Sequence, residues 1–573
     1  MNAFGFCFCG ISDNIETVMT SKKLRNDFLK FFEKKGHQIV SSSSLLPSDP
    51  SVLFTTAGMQ QFKEYFLGKK SPYGKRAASC QKCFRTSDIE EVGDERHLIF
   101  FEMLGNFSFG EYKKEQAIKL AKDFLDSIKI KIDWVTVFRG DKEIPKDEES
   151  VKIWNRFGFS EEKGNLRFAG RADNFWGPTG EEGPCGPTTE IHSQGIEFWN
   201  IVFNQYYRHK DKSLTELPIF GVDTGMGLER LVKISQNVPT IFETDLFSSI
   251  IIGIPGQNEK AKRIIADHIK SSVFLISEGI FPSNVERGYV LRRILRRAIR
   301  YGKLLGLPPN FLIPLAKKVI TIYQDIYPEV KSKETDILTV IQNEEEKFSQ
   351  TLEKGLKQFE KIAALGNIDG KDAFHLFDTY GFPLELTQDL AQEKSLKVDK
   401  KGFEEAFGKH REVSRAGAEK KFGGVGKEAS YEAAKLHTAT HLLHAALREV
   451  LGGHVKQMGS DITSQRLRFD FSHPAKLTES EIKKVEAIVN QKIKEDLEIK
   501  KTEMSYHEAI KEGALALVKE KYPAKVSVYS VGNFSKEICA GPHVKKTGEL
   551  GYFKIIKEES SGAGIRRIRA ILE

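Results

Sequence analysis

The spacing of hydrophobic positions changes rhythm twice along the chain. From Ser21 the residues Leu24, Phe28, Leu29, Phe31 and Phe32 recur at helical intervals and stop before Gly36. That period predicts an amphipathic helix capped by Ser21. Up to about residue 245 the period shortens: Trp134–Phe138 (WVTVF) and 201–203 read as strands, while the glycines of 177–187 read as a turn-rich pocket wall. Strands and helices do not alternate regularly there, so an antiparallel α+β domain is expected instead of stacked βαβ units.

From about 260 to 410 the pattern is helical, as in GYVLRRILRRAIRYGKLLG and TDILTVIQNEEEKFSQTLEKGLKQFEKI. The stretch 414–430 is small, charged and glycine-rich, as a linker is. Beyond it Thr478 and Glu481 form a capping-box pattern ahead of Ile482, Val485, Val489 and Ile493, and Leu467, Phe469 and Phe471 alternate like a half-buried strand. The expected layout of this α+β multidomain chain is an extension at 1–18, a domain at 19–250, a helical domain at 251–413, a linker at 414–430 and a second α+β module at 431–573.

Composition narrows the class. At 573 residues, 40% hydrophobic and 29% charged, the chain is globular and large enough for several cores. No apolar run approaches the roughly 20 residues of a membrane helix. A net charge of +8 permits a polyanionic partner without requiring one. Six scattered cysteines do not make a secreted disulfide framework. The first eighteen residues lack the pattern of a signal peptide and are poor in arginine, so Met19 is the expected functional start and the cytoplasm the expected location.

The candidate chemistry lies at both ends. His437 and His441 are four apart in KLHTATHLLHAALREVL, on one face of a predicted helix, and CAGPH supplies Cys539 and His543, again four apart. An isolated HxxxH is a weak signal. A second pair containing a thiol in the same module points to a tetrahedral zinc shell. His444 is read as a pocket or core residue. CQKC at 80–83 has no second pair nearby and is not read as a metal site. In the first half, Arg85 leads into a polar loop from which Phe101 and Glu102 return, and FGVDTGMGLERL places Arg230 at the start of an apolar helix. Arginine forks suit an α-phosphate under attack and the phosphates behind it, although surface salt bridges are the commoner fate of arginines.

These residues resemble the alanyl-tRNA synthetase family of class II aminoacyl-tRNA synthetases. SVLFTTAGMQQFKEYFLG is similar to its motif 1, the segment from Arg85 to Gly110 with FFEMLGNFSFG to motif 2, and DTGMGLER to motif 3. GYVLRRILRRAIR is similar to its tRNA-recognition helices, and HTATH with CAGPH to its zinc editing site. The resemblance implies an antiparallel-sheet catalytic domain, a helical tRNA-recognition domain and an α+β zinc editing domain. It implies ATP with Mg²⁺, alanine and tRNA(Ala) as ligands, and Zn²⁺ at the editing site. Arg85 would contact the α-phosphate and the amino-acid carboxylate, Arg230 the ATP tail and adenine, and Phe101 would stack on adenine with catalytic Glu102 beside it. Asp223 would take the substrate ammonium, with Met59, Trp176, Val202 and Gly225 around the methyl group. Asn284 and Asp378 match positions that read the acceptor-stem G·U pair, Gln457 matches one implicated in editing, and Arg292, Arg293, Arg296, Arg297 and Arg300 would lie along acceptor-stem phosphates.

The chain departs from the family pattern in a short loop after Arg85, in the absence of the β-barrel that usually precedes the editing core, and in ending at GAGIRRIRAILE without the family's C-terminal domain. A monomer is therefore expected. The alternatives are a free-standing editing hydrolase with a dead synthetase half and a non-catalytic RNA-binding relative.

Overall fold

The computed structural model describes residues 19–49, 51–419, 430–516, 525–539, 541–562 and 564–573. The expected extension at 1–18 and residues 420–429 of the expected linker lie outside them. The chain divides into two compact units, one of 1–279 with 297–332 and one of 280–296 with 333–573.

The first unit is built on one mixed sheet. Its strands are β1 (Gln38–Ile39), β2 (Arg76–Phe84), β3 (Phe100–Phe109), β4 (Trp134–Phe138), β5 (Leu166–Ala169), β6 (Phe175–Trp176), β7 (Gly183–Ser193), β8 (Ile196–Arg208) and β9 (Leu214–Gly227). They run in the order β1-β2-β3-β9-β8-β7-β4-β5, with β6 pairing β7 off the path. Only β1–β2 and β4–β5 are parallel; the other neighbours are antiparallel, as the irregular rhythm of the sequence implied. The segment 177–187 differs from its expected form, because β7 begins at Gly183 inside it. A Cβ on Gly186 would meet the Phe203 carbonyl oxygen at 1.8 Å, so glycine serves there for strand proximity rather than for a turn.

The helix Ser21–Lys34 buries Leu24, Phe28 and Phe32, one per turn. Phe28 meets Phe124 edge-on at 5.2 Å and Trp199 at 6.0 Å, which seals one face of the sheet with aromatic edges. Its cap is Thr20, which accepts from the Lys23 amide, rather than the expected Ser21; Ser21 is spent on Asp245, to which both its amide and its hydroxyl donate. The helix Glu259–Ser277 is buried along most of its length, and its Phe274 stacks on Phe100 of β3 at 3.8 Å. The helices of 251–279 and 297–332 therefore belong with the sheet, although the sequence pattern grouped them with a separate helical domain.

In the second unit the helices Glu334–Ala363, Gly370–Tyr380 and Lys400–Glu419 precede the helix Tyr431–Leu451. The helix Lys400–Glu419 runs into the stretch read as linker. Between β9 and β10 (Gln457–Ile462) the described residues contain no strand beyond an isolated bridge of Ile368 with Val398, which agrees with the missing barrel. The strands β10, β11 (Leu467–Ser472), β12 (Ile499–Ser505), β13 (Lys525–Val531), β14 (Ser535–Ile538), β15 (Phe553–Gly562) and β16 (Ile565–Leu572) form two sheets, β10-β11-β16-β15 and β12-β13-β14. Phe469, Phe471 and Ile568 pack with Leu442, Leu443 and Val485 in the core between helices and sheet. The Thr478–Glu481 capping box is present as expected.

Candidate active site

The centre of the large sheet carries a cavity of about 400 Å³. Its lining follows from strand periodicity. Side chains directly across an antiparallel pair share a face, and the register sets Val202 opposite Asp223 and Asn200 opposite Gly225. On the other flank Met103 lies opposite Gly227. Phe101, Met103, Phe198, Asn200, Val202, Asp223, Gly225 and Gly227 accordingly line the cavity. Gly225 is required by proximity, since a Cβ there would meet Met103 Sδ at 2.9 Å.

Arg85, Phe101, Trp176, Val202, Asp223, Gly225 and Arg230 all reach this one cavity. The Arg85 guanidinium lies 5.0 Å from the Phe101 ring centre, and its Nε donates to the Thr56 carbonyl at 3.2 Å. Arg230 sits in the first turn of the helix Leu228–Gln236 and donates to the Glu197 carbonyl at 2.8 Å and to the Glu197 carboxylate. Burial, with no opposing cation, pushes the Asp223 carboxyl up to about 8.

Two predicted residues stand elsewhere. Glu102 follows Phe101 on β3 and so turns to the opposite face, where it is fully buried. There it accepts from Arg25 Nε at 2.9 Å and Nη2 at 2.6 Å, and from the Tyr327 hydroxyl at 2.8 Å. The neighbouring acid that does line the cavity is Glu229, held from behind by Lys270 Nζ at 2.7 Å and the Glu102 amide at 3.1 Å. Met59 does not line the cavity either; it is buried in a cluster with Phe62 and Phe107 against which Trp176 and Met103 pack. The sequence reading missed Arg96, His97, Asn200 and Glu197 on the cavity wall. Alternation along β8 from Val202 would have found Asn200, whereas Arg96 and His97 come from the short loop, which has no period to read.

The arginine helix Glu286–Leu304 also departs from expectation. Val290, Leu291, Ile294, Leu295, Ala298 and Ile299 are all buried, so the apolar stripe is wide and the arginines beside it are drawn inward. Arg297 is 5% exposed and donates to the Ile89 carbonyl at 2.7 Å, and Arg300 is equally buried. Arg296 pairs with Glu344 at 2.6 Å and also donates to the Gly381 carbonyl; Arg293 faces Glu385 at 3.5 Å. Arg292 donates to the Asn284 side-chain oxygen and lies 3.6 Å from Glu344, and burial brings its guanidinium down to about 10. These groups are not an open row for phosphates. Asn284 and Asp378 are exposed.

In the second unit His437 and His441 on the helix Tyr431–Leu451 meet Cys539 and His543 just past β14, with one donor atom from each lying within 4.8 Å of the others. Cys539 Sγ is 3.3 Å from His437 Nε2. His543 Nδ1 is 3.2 Å from the Thr438 hydroxyl, and its Nε2 is buried with no hydrogen-bond partner. Although burial opposes ionisation, the three imidazoles bring the Cys539 thiol down to about 3. Against the same burial, Glu537 and Cys539 raise His441 to about 10. One thiolate, an orphaned imidazole nitrogen and a proton that a cation can replace fit a Cys-His₃ zinc shell. Gln457 opens β10 and donates to Ser460 at 3.1 Å. Cys80 and Cys83 are buried in β2, where burial raises both thiols, that of Cys83 to about 12.

No helix among the described residues is long and apolar enough to cross a membrane. Residues 23–452 match the family described as tRNA synthetases class II (A), and 526–569 match the threonyl and alanyl tRNA synthetase second additional domain. An alanine–tRNA ligase of Treponema pallidum (strain Nichols) is 46% identical over 96% of this chain and 98% of its own length. One of Borreliella afzelii (strain PKo) is 48% identical over 97% of this chain and 100% of its own. A longer one of Thermotoga maritima is 41% identical over 96% of this chain and 80% of its own.

Proposed function

The chain belongs to the class II tRNA synthetases and, among them, to the alanine–tRNA ligases, and on that premise we propose how its residues divide the work of ligation and proofreading. The enzyme attaches alanine to tRNA(Ala) through an alanyl-adenylate. ATP, entering with Mg²⁺ on its phosphates, occupies the sheet cavity with its base against Phe101 and its tail toward Arg230. Asp223 takes the ammonium group, and Trp176, Val202 and Gly225 bound the space for one methyl. The alanine carboxylate attacks the α-phosphorus, pyrophosphate leaves, and Arg85 neutralises charge that builds on the phosphoryl oxygens. The terminal ribose hydroxyl of tRNA(Ala) then attacks the adenylate and releases AMP.

A single cavity carries this reading, because it gathers Arg85, Phe101, Asp223 and Arg230 from three different strands and one helix start. The same gathering speaks against a decayed synthetase half. Alanine-dependent exchange of pyrophosphate into ATP is the test. Exchange with alanine that exceeds exchange with serine and glycine is expected, and its absence in folded enzyme removes the assignment.

The second unit supplies correction. A pocket sized for one methyl gains only about 1–3 kcal/mol over glycine and rejects serine by roughly a hundredfold. Hydrolysis of Ser-tRNA(Ala) and Gly-tRNA(Ala) at a separate site removes these errors. His437, His441, Cys539 and His543 would hold Zn²⁺, and four protein ligands complete a tetrahedron, so zinc there supplies a fixed positive centre and a cross-link. Gln457 discriminates at that site, and exposed Asn284 and Asp378 read the acceptor stem. The chain acts in the cytoplasm as a monomer.

A further inference from the structure

His444 follows His441 by one helical turn, and the two imidazoles converge on one carboxylate. Glu537, 6% exposed on β14, places Oε2 3.0 Å from His441 Nδ1 and Oε1 2.8 Å from His444 Nδ1. Its backbone is fixed as well, since Leu515 donates to the Lys536 carbonyl and Ile538 donates to the Leu515 carbonyl, both at 2.9 Å. A ring whose Nδ1–H donates to a carboxylate has only Nε2 left as a ligand atom. His441 belongs to the four-residue cluster and His444 does not, although both are buried histidines on one helix face. His444 is held beside Phe469, ring centres 5.4 Å apart, and its Nε2 has no partner.

We infer that Glu537 is a positioning residue that selects the ligand set: it turns His441 Nε2 toward the shell and keeps His444 out of it. A single carboxylate thereby decides which of two adjacent histidines ligates. The inference rests on reading the cluster as a zinc site. Glu537 reaches the ion only through His441, and its removal acts on ligand orientation and basicity.

The test uses the full-length chain, stripped with chelator and titrated with Zn²⁺ against a coloured competitor, with Co²⁺ as a spectroscopic probe of the same shell. Glu537→Gln keeps the shape and loses the charge. It is expected to bind zinc about 10–100-fold more weakly than the parent and to shift the visible cobalt bands, while thermal melts of the two stripped proteins coincide. Equal zinc affinity and an unchanged cobalt spectrum overturn the inference. If Glu537→Gln does not fold, Glu537→Asp replaces it, keeping the charge and shortening the reach by one methylene. Weakened zinc and a shifted spectrum then support the role, and parental values overturn it. Failure of the parent chain itself to bind zinc overturns the underlying site as well, which separates the two readings.

Discussion

Arg25 grips Glu102 at two points, 2.9 and 2.6 Å, on the side of β3 that faces away from the cavity. Both side chains are almost wholly buried, and the Tyr327 hydroxyl completes the carboxylate's partners. The arginine raises its own proton affinity and lowers that of Glu102 while burial opposes both charges. Removing one partner leaves an uncompensated interior charge. Arg25→Ala is expected to cost about 3–5 kcal/mol of stability, measured by denaturant unfolding, whereas the KM for alanine of the folded fraction stays near the parent value. A variant as stable as the parent with a collapsed KM would place Glu102 in the chemistry after all.

Asp223 holds a proton that alanine's ammonium group must displace. Burial raises its carboxyl from the usual 3.8 to about 8, so at pH 6–7 the unliganded site is mostly neutral. Below that value the KM for alanine is expected to rise about tenfold per pH unit, and Asp223→Asn should abolish the dependence together with most of the affinity. The stability of the unliganded enzyme carries the opposite sign to an ordinary paired acid. The folded chain binds the proton more tightly than the unfolded one, so this group's contribution declines as pH rises from about 4 to 8 and levels off above. Exchange rates against alanine concentration at several pH values give the first result, and melts across the same range give the second.

Arg85 presents a planar fork held by the Thr56 carbonyl and the Phe101 ring. Arg85→Ala is expected to lower kcat/KM for pyrophosphate exchange by about 10²–10³-fold. Arg85→Lys should recover little, because an ammonium cannot match two phosphate oxygens at once. Full recovery by lysine would reduce the role to simple charge.

Arg297 lies inside the first unit, donating to the Ile89 carbonyl. Arg297→Ala is expected to lower the melting temperature while leaving the slope of log affinity for tRNA against log salt unchanged. A phosphate contact would flatten that slope by nearly one for each charge removed. Filter binding across a salt series distinguishes the two.

Cys539→Ala removes the only thiolate of the shell. Ser-tRNA(Ala) is expected to accumulate in a mischarging assay while alanine charging persists, and metal analysis should show the zinc lost. Mischarged product remaining as low as in the parent would remove the editing assignment.

The reach of sequence reading divides along physical lines. The helix Ser21–Lys34, the strand Trp134–Phe138 and the Thr478–Glu481 cap were legible because each is set by local period or local hydrogen bonding. The pairing of His437 and His441 with Cys539 and His543 was legible because two short-range spacings recur with metal-ligand residue types. Phe101 was readable, but Glu102 was assigned to the same face although adjacent strand residues point apart. The inward turn of Arg297 escaped because charge composition carries no record of which flank a helix buries. Arg96 and His97 escaped because loop residues have no rhythm. Glu537 escaped because a carboxylate behind a ligand differs from any other acid until its hydrogen bonds are seen.

The cluster around Cys539 joins positions 102 residues apart in the chain, as His437 and Cys539 do. A polypeptide leaves the ribosome N-terminus first, and the first unit is complete in sequence at residue 332. Cys539 and His543 are among the last residues to emerge. The ligating head can thus fold well before the proofreading shell has all its donors. Any truncated product of interrupted synthesis that ends between these points would be able to charge tRNA and unable to correct its errors, so the order of manufacture places fidelity after activity.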